Sequence, residues 1–179
     1  MDTDDCDESQ YQRYIPAKIR TQTTCDLVQC IISVLNNLTR DYSMIADNVF
    51  TISRCTVPLL DFITRCQKYL HACDSELILA IIYIDRFVSA YTKKNGENIL
   101  TPTTVHKIFA TALILAQKYN TDEYYKLDHI VKVLGVSKKT YINCECMFLQ
   151  NIDSELYVSL EEYNCYSDNF NQMIEQQLF

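Results

Sequence analysis

The apolar positions of this chain recur mainly at steps of three and four, the period that lets one face of an α-helix be buried while the other stays wet. From Cys25 onward, Leu27, Val28, Ile31, Ile32, Leu35 and Leu38 keep that rhythm and predict a first amphipathic helix. A polar stretch from Asp41 to Ser53 follows it. Thr56, with Pro58 two residues on, predicts the start of a second helix whose stripe is Leu59, Phe62, Ile63, Cys66 and Tyr69. Asp74-Ser75 is expected to cap a third, running from Glu76 to about Tyr91 and ended by the polar run Lys93 to Glu97. That third segment is apolar almost all round, and a helix without a polar face belongs at the centre of a fold.

Thr101-Pro102 predicts the next start, with Thr as N-cap and Pro at the first helical position, and the stretch to Tyr119 is again mostly apolar. A polar segment, Asn120 to Tyr125, leads to a short helix through Leu134, stopped by Gly135. Ser137 is the expected cap of a helix whose Tyr141, Cys144, Phe148 and Ile152 share one face. A capping box, Ser159-x-x-Glu162, precedes a final polar helix. The first two dozen residues have no sustained period and are expected to form a loose acidic arm.

Composition narrows the function. Two glycines and three prolines in 179 residues leave no material for Gly-rich phosphate cradles or tight β-turn architectures, so the chain reads as one all-α domain. Sixteen basic against 23 acidic residues, a net charge of -7, give no drive toward phosphate backbones or anionic lipid, which argues against nucleic acid and membrane as partners. The acidic start is the reverse of a signal peptide, and the longest apolar run, Leu77 to Ile84, falls far short of the ~20 residues that span a bilayer. An intracellular place, nucleus or cytoplasm, is therefore expected. There the odd set of nine cysteines reads as reduced thiols.

Signals of catalysis are weak. The three His are far apart in sequence, and neither a nucleophile elbow nor a P-loop occurs. Cys144 and Cys146 are two apart on a predicted helix, about 200° round, and cannot chelate one ion together. No metal and no cofactor are expected. The informative residues are charges set in apolar helices: Asp85 and Arg86 after Ala80-Ile81-Ile82-Tyr83-Ile84, Lys118 after Ala112-Leu113-Ile114-Leu115-Ala116-Gln117, and Glu145 among Cys144, Cys146 and Met147. Burying such a charge costs several kcal/mol unless it is paired. The plain reading is that each lies at a helix edge and reaches water.

Taken in order, Leu79-Ala80-Ile81-Ile82-Tyr83-Ile84-Asp85-Arg86-Phe87, Thr104-Val105-His106-Lys107 leading into Ala116-Gln117-Lys118-Tyr119, and Glu145-Cys146-Met147-Phe148-Leu149 resemble a cyclin box. Among cyclins the resemblance is greatest to the group of the yeast phosphate-pathway cyclin and the plant P/U-type cyclins. Those pair a helix like Ile31 to Leu35 with an Asp-Phe-Ile-x-Arg-Cys-x-Lys-Tyr helix such as Asp61 to Tyr69. Their short helix before a Val-Gly-Gly element corresponds to His129 through Gly135.

The resemblance implies a five-helix cyclin box with an extra N-terminal helix and a C-terminal helix. It divides the chain into the arm at 1–24, the box with its preceding helix at 25–158, and a C-terminal helix or tail at 159–179. It also implies a regulatory subunit, not an enzyme, that binds and activates a cyclin-dependent protein kinase by holding the kinase's mobile helix in its active position. Lys118 and Glu145 match the family's kinase-gripping positions, Leu149 and Leu156 match apolar contacts to that helix, and Asp85 and Arg86 match structural charges of the box. Three features depart from the pattern. Ser154 falls where an aromatic is usual; Cys55, with Arg54 beside it, falls where an arginine pairs with the central aspartate; and neither a Met-Arg-Ala-x-Leu docking sequence nor an Arg-x-x-Leu destruction signal is present. The residues also allow an all-helical scaffold that keeps this fold without activating a kinase, and two charges that pair with each other, or with Asp85, inside the monomer.

Overall fold

The computed structural model describes residues 24–39, 48–52, 57–122 and 125–177. All regular structure among them is helical: α1 (Thr24–Leu38), α2 (Leu59–Leu70), α3 (Asp74–Asn95), α4 (Val105–Asn120), α5 (Leu127–Leu134), α6 (Lys138–Asn151) and α7 (Leu160–Gln177). The arm expected at 1–24 lies outside the described residues except for Thr24, as do Arg54, Cys55 and Thr56.

The fold is organised round α3 and α4. Leu77 through Ile84 and Phe87 of α3 are buried, and so is every residue of α4 from Val105 to Gln117 apart from Lys107. Two helices this apolar must be enclosed. They pack on each other; α6 lies against both, α2 against α4, and α7 against α3 and α1. Stacked rings tie the layers, with Phe87 of α3 flat against Phe148 of α6 at 4.4 Å and Phe50 edge-on to Phe87 at 5.3 Å. Helices α2 to α6 form the five-helix box, with α1 before it and α7 after it, as expected.

Local rules set the ends. The two glycines each occupy a left-handed C-cap, Gly96 (φ 74°) after α3 and Gly135 (φ 69°) after α5, where a side chain would be strained. Ser137 Oγ accepts the Thr140 N–H at 3.0 Å and caps α6, as its sequence implies.

Several boundaries differ from expectation. Leu70, not Tyr69, completes the buried stripe of α2, because the helix ends there and Tyr69 turns outward, 48% exposed. Cys73 takes the N-cap place of α3 in front of Asp74-Ser75: its N–H donates to Glu76 Oε2 at 2.9 Å, which leaves Asp74 inside the helix. Helix α3 runs on past Tyr91 to Asn95, since Lys93 and Lys94 suit the negative end of a helix. Thr101 opens a turn, accepting the Thr104 and Val105 N–H groups on its carbonyl, and Thr104 takes the N-cap place of α4. Thr104 is itself tied down, its hydroxyl donating to Ile99 O at 2.6 Å.

The largest departure is α7. Mean polarity hides a spaced set, Tyr163, Phe170 and Ile174, all buried, so the last helix is part of the core and not a polar tail. Its capping box is only half formed. Ser159 Oγ accepts the Glu162 N–H at 3.2 Å, but the Glu162 carboxylate is taken by Arg86 of α3 at 2.6 Å.

The residues before α2 are strapped to α4. Lys107 Nζ donates to Val49 O and Thr51 O at 3.0 and 2.8 Å, and His106 Nε2 donates to Val57 O at 3.0 Å. Burial holds the His106 imidazolium below its ordinary value of 6.5; the nearby Arg65 adds to this, while the Val57 bond opposes it.

Two outcomes are expected from this packing. Phe170→Ala should cost about 3 kcal/mol, the usual loss for a large aromatic removed from a core, whereas a dispensable tail would melt unchanged; urea titration of both proteins separates these. Because the folded state depresses the His106 pKa, the unfolded chain binds the extra proton more readily, so stability is complete above pH ~6.5 and falls as pH drops below it. In melts between pH 5 and 7.5, His106→Gln should show a shallower loss on the acid side than the parent.

Candidate partner-binding site

Lys118 and Glu145 meet at the rim of the α4–α6 contact. Lys118 is the first residue of α4 after its buried run, and Glu145 is one position beyond buried Cys144 on α6. Lys118 Nζ lies 2.6 Å from Glu145 Oε1, with side chains 40% and 19% exposed, so both charges sit at the edge and are also paired. The alternative in which they join each other inside the monomer is the geometry seen. Asp85 pairs elsewhere: Tyr166 of α7 donates to Asp85 Oδ2 at 2.7 Å.

A third residue completes the pair. Tyr141, one turn before Glu145 on α6, is buried, and its hydroxyl donates to Glu145 Oε1 at 2.8 Å, the oxygen that Lys118 also uses. The Lys118 ammonium lies 5.4 Å from the centre of the Tyr141 ring, within cation–π reach. Burial, the Glu145 charge and the hydrogen bond all push the Tyr141 phenol far above its ordinary value, so it remains a donor. Among the described residues, Glu145 Oε2 has no hydrogen bond of its own.

Leu149 lies one further turn along α6, half-buried against the core. After α6 the chain passes Asp153 (φ 50°) and Ser154 (φ 58°), two consecutive left-handed residues that turn it back toward α3. An aromatic at 154 would have to sit in that strained region, which gives Ser154 a local reason. Leu156 comes two residues later, half-buried, and its carbonyl accepts the Tyr83 hydroxyl at 2.8 Å. Next to it Tyr157 is 64% exposed, an aromatic close to the position where the sequence pattern lacks one.

Asp85 and Arg86 come directly after the buried stretch of α3 and hold the chain beyond α6. Arg86 donates to Glu155 O at 3.0 Å and to Glu162, while Asp85 takes Tyr166. The arginine position that Cys55 and Arg54 fill lies outside the described residues, and here a tyrosine of α7 meets the aspartate.

Two of the cysteines are held away from reactivity by burial. Burial pushes the Cys66 thiol up to about 12 and the Cys144 thiol up to about 11, away from the reactive thiolate. Cys144 donates to Val49 O at 3.3 Å on the core side and Cys146 is exposed, so the two point apart as their spacing requires. Among the described residues no three His, Cys, Asp or Glu side chains are grouped to hold a metal, and no helix is long and apolar enough to cross a membrane. A small apolar cavity of about 30 Å³ lies between α2, α4 and α6 beside Phe62, Ala110 and Tyr141, room for roughly one water.

A five-helix box with a flanking helix on each side is consistent with a cyclin box fold. Residues 26–157 match the family described as cyclin, N-terminal domain, and the chain belongs to that family. Among curated relatives it is 29% identical over 134 residues to Cyclin-U4-1 of Arabidopsis thaliana, covering 73% of this chain and 64% of that protein. It is 24% identical over 119 residues to PHO85 cyclin-7 of Saccharomyces cerevisiae (63% and 42% covered). It is also 24% identical over 113 residues to PHO85 cyclin-like protein psl1 of Schizosaccharomyces pombe (63% and 45%). The chain thus spans from under half to about two thirds of the length of these relatives.

In the free chain the pair is a part-exposed ion pair, so Lys118→Ala should lower stability by no more than about 1 kcal/mol. A loss of several kcal/mol in chemical denaturation would mean that the variant strands a buried carboxylate, and that the pair belongs to the core.

Proposed function

We propose that this chain is the regulatory subunit of a cyclin-dependent protein kinase and activates it by binding, with no chemistry of its own. The observation that carries the reading is the Lys118–Glu145 pair, held where the end of the buried helix α4 meets the edge of the buried face of α6, at positions that match the family's kinase grip. The pair has capacity to spare. The ammonium has further N–H donors and the carboxylate has Oε2, so a kinase can add bonds without first breaking the pair. Leu149, one turn beyond Glu145 on α6, and Leu156, half-buried beyond the turn that follows, are the apolar positions that match the family's contacts to the kinase helix, and the exposed Tyr157 is an aromatic of the kind that anchors interfaces.

Activation on this reading is a population shift. Moving a kinase from mostly inactive to mostly active takes several kcal/mol of differential binding, which a few desolvated contacts supply. A rigid face is suited to this, because ordering it costs little when the kinase helix docks.

Two of the relatives carry PHO85 in their names, one as a cyclin and one as a cyclin-like protein, so that kinase from Saccharomyces cerevisiae is the first probe. Lys118→Ala or Glu145→Ala should weaken its binding by ~2–5 kcal/mol, the range for truncating one partner of a desolvated charge pair, with the free proteins still folded. Titration calorimetry and a phosphorylation assay on the same samples decide the matter. Unchanged affinity in both variants removes the pair from the interface, and binding without increased phosphorylation favours the scaffold reading.

A further inference from the structure

The rim pair is tied to the core through one side chain that the family pattern does not single out. Tyr141 is 2% exposed, packed between α4 and α6, and lines the small cavity with Ala110, Thr111 and Cys144. A side chain so enclosed keeps one rotamer. From that fixed base its hydroxyl reaches Glu145 Oε1 at 2.8 Å, while its ring face lies 5.4 Å from Lys118 Nζ. Lys118 and Glu145 come from different helices and are part exposed, and long exposed side chains ordinarily sample many rotamers.

We propose that Tyr141 is the positioning residue of the partner-binding site, holding the Glu145 carboxylate and the Lys118 ammonium in their binding arrangement before a partner arrives. The inference rests on the reading of the pair as a kinase contact. Its physical content is preorganisation: the carboxylate is anchored through Oε1 by an enclosed donor, Oε2 takes no hydrogen bond among the described residues, and the ammonium is drawn over the ring. The raised phenol pKa supports it, because the hydroxyl keeps its proton and its role as donor at any physiological pH.

The test is Tyr141→Phe in the full chain, which removes the hydroxyl and keeps the ring. Affinity for the yeast PHO85 kinase should fall about ten- to a hundredfold, the scale of one hydrogen bond to a charged group. The same change made on top of Glu145→Ala should have no further effect, since the hydroxyl then has no acceptor at that position to hold. If Glu145→Gln weakens binding and Tyr141→Phe does not, positioning is refuted while the interface reading survives. If neither Glu145→Gln nor Lys118→Met changes affinity, the interface reading itself fails. A full loss from Tyr141→Phe that persists beside Glu145→Ala would assign Tyr141 a packing role instead and overturn the proposal. A readout in the free protein works without a kinase: ¹⁵N relaxation of the Lys118 ammonium should show restricted motion in the parent and faster motion in Tyr141→Phe. Equal mobility in the two proteins would contradict the proposal.

Discussion

The contact between α3 and α4 dictates where every other helix must lie. Each of the two is apolar round most of its circumference, so neither can be left at a surface, and the only stable arrangement surrounds both. The remaining helices provide that enclosure. Each needs only one apolar stripe, and their polar faces and connections go to the outside. Asp85 and Arg86 appear at the point where α3 emerges toward α7, and Lys118 where α4 emerges toward α6. The candidate site is therefore a consequence of the core. A part-exposed ion pair contributes little stability by itself, but here its two halves are carried by elements that have no freedom to move apart.

The same packing explains how the box is closed at its C-terminal side. The turn at Asp153 and Ser154 reverses the chain, Tyr83 and Arg86 catch the next carbonyls, and Arg86 with Asp85 then takes side chains of α7. The residues that resemble structural charges of the family box thus bind a helix outside it. α7 in turn covers α1, which links the two flanking helices to each other as well as to α3.

Much of this was legible in the sequence, for a physical reason: periodicity reports burial, and burial decides which helices are central. The segments, the enclosed third and fourth helices, the Gly135 cap and the Ser137 cap all come from local rules. Local rules miss competition over distance. The Ser159-x-x-Glu162 pattern predicts a reciprocal box, but an arginine 76 residues away in the chain takes the carboxylate. The stripe of α7 is diluted by polar neighbours, so its three buried residues pass unnoticed until α1 and α3 are in place to receive them. Lys118 and Glu145 could be singled out as charges in apolar helices, yet only the crossing of α4 and α6 joins them. Tyr141 had a usable signal, four residues before Glu145 on one helix, but its place in the apolar face assigned it to the core. It belongs to both.

If the chain grips a kinase as proposed, the docking surface is the C-terminal end of α4, the exposed side of α6 and the segment between α6 and α7. Amide hydrogen exchange of the chain, alone and saturated with the yeast PHO85 kinase, tests this without altering any residue. Added protection should concentrate in peptides covering 114–120 and 141–157, with α1, α2 and α7 exchanging as in the free chain. Protection centred on α2 and α5, with the Lys118 and Glu145 peptides unchanged, would contradict the proposal and place the partner on a different side of the box.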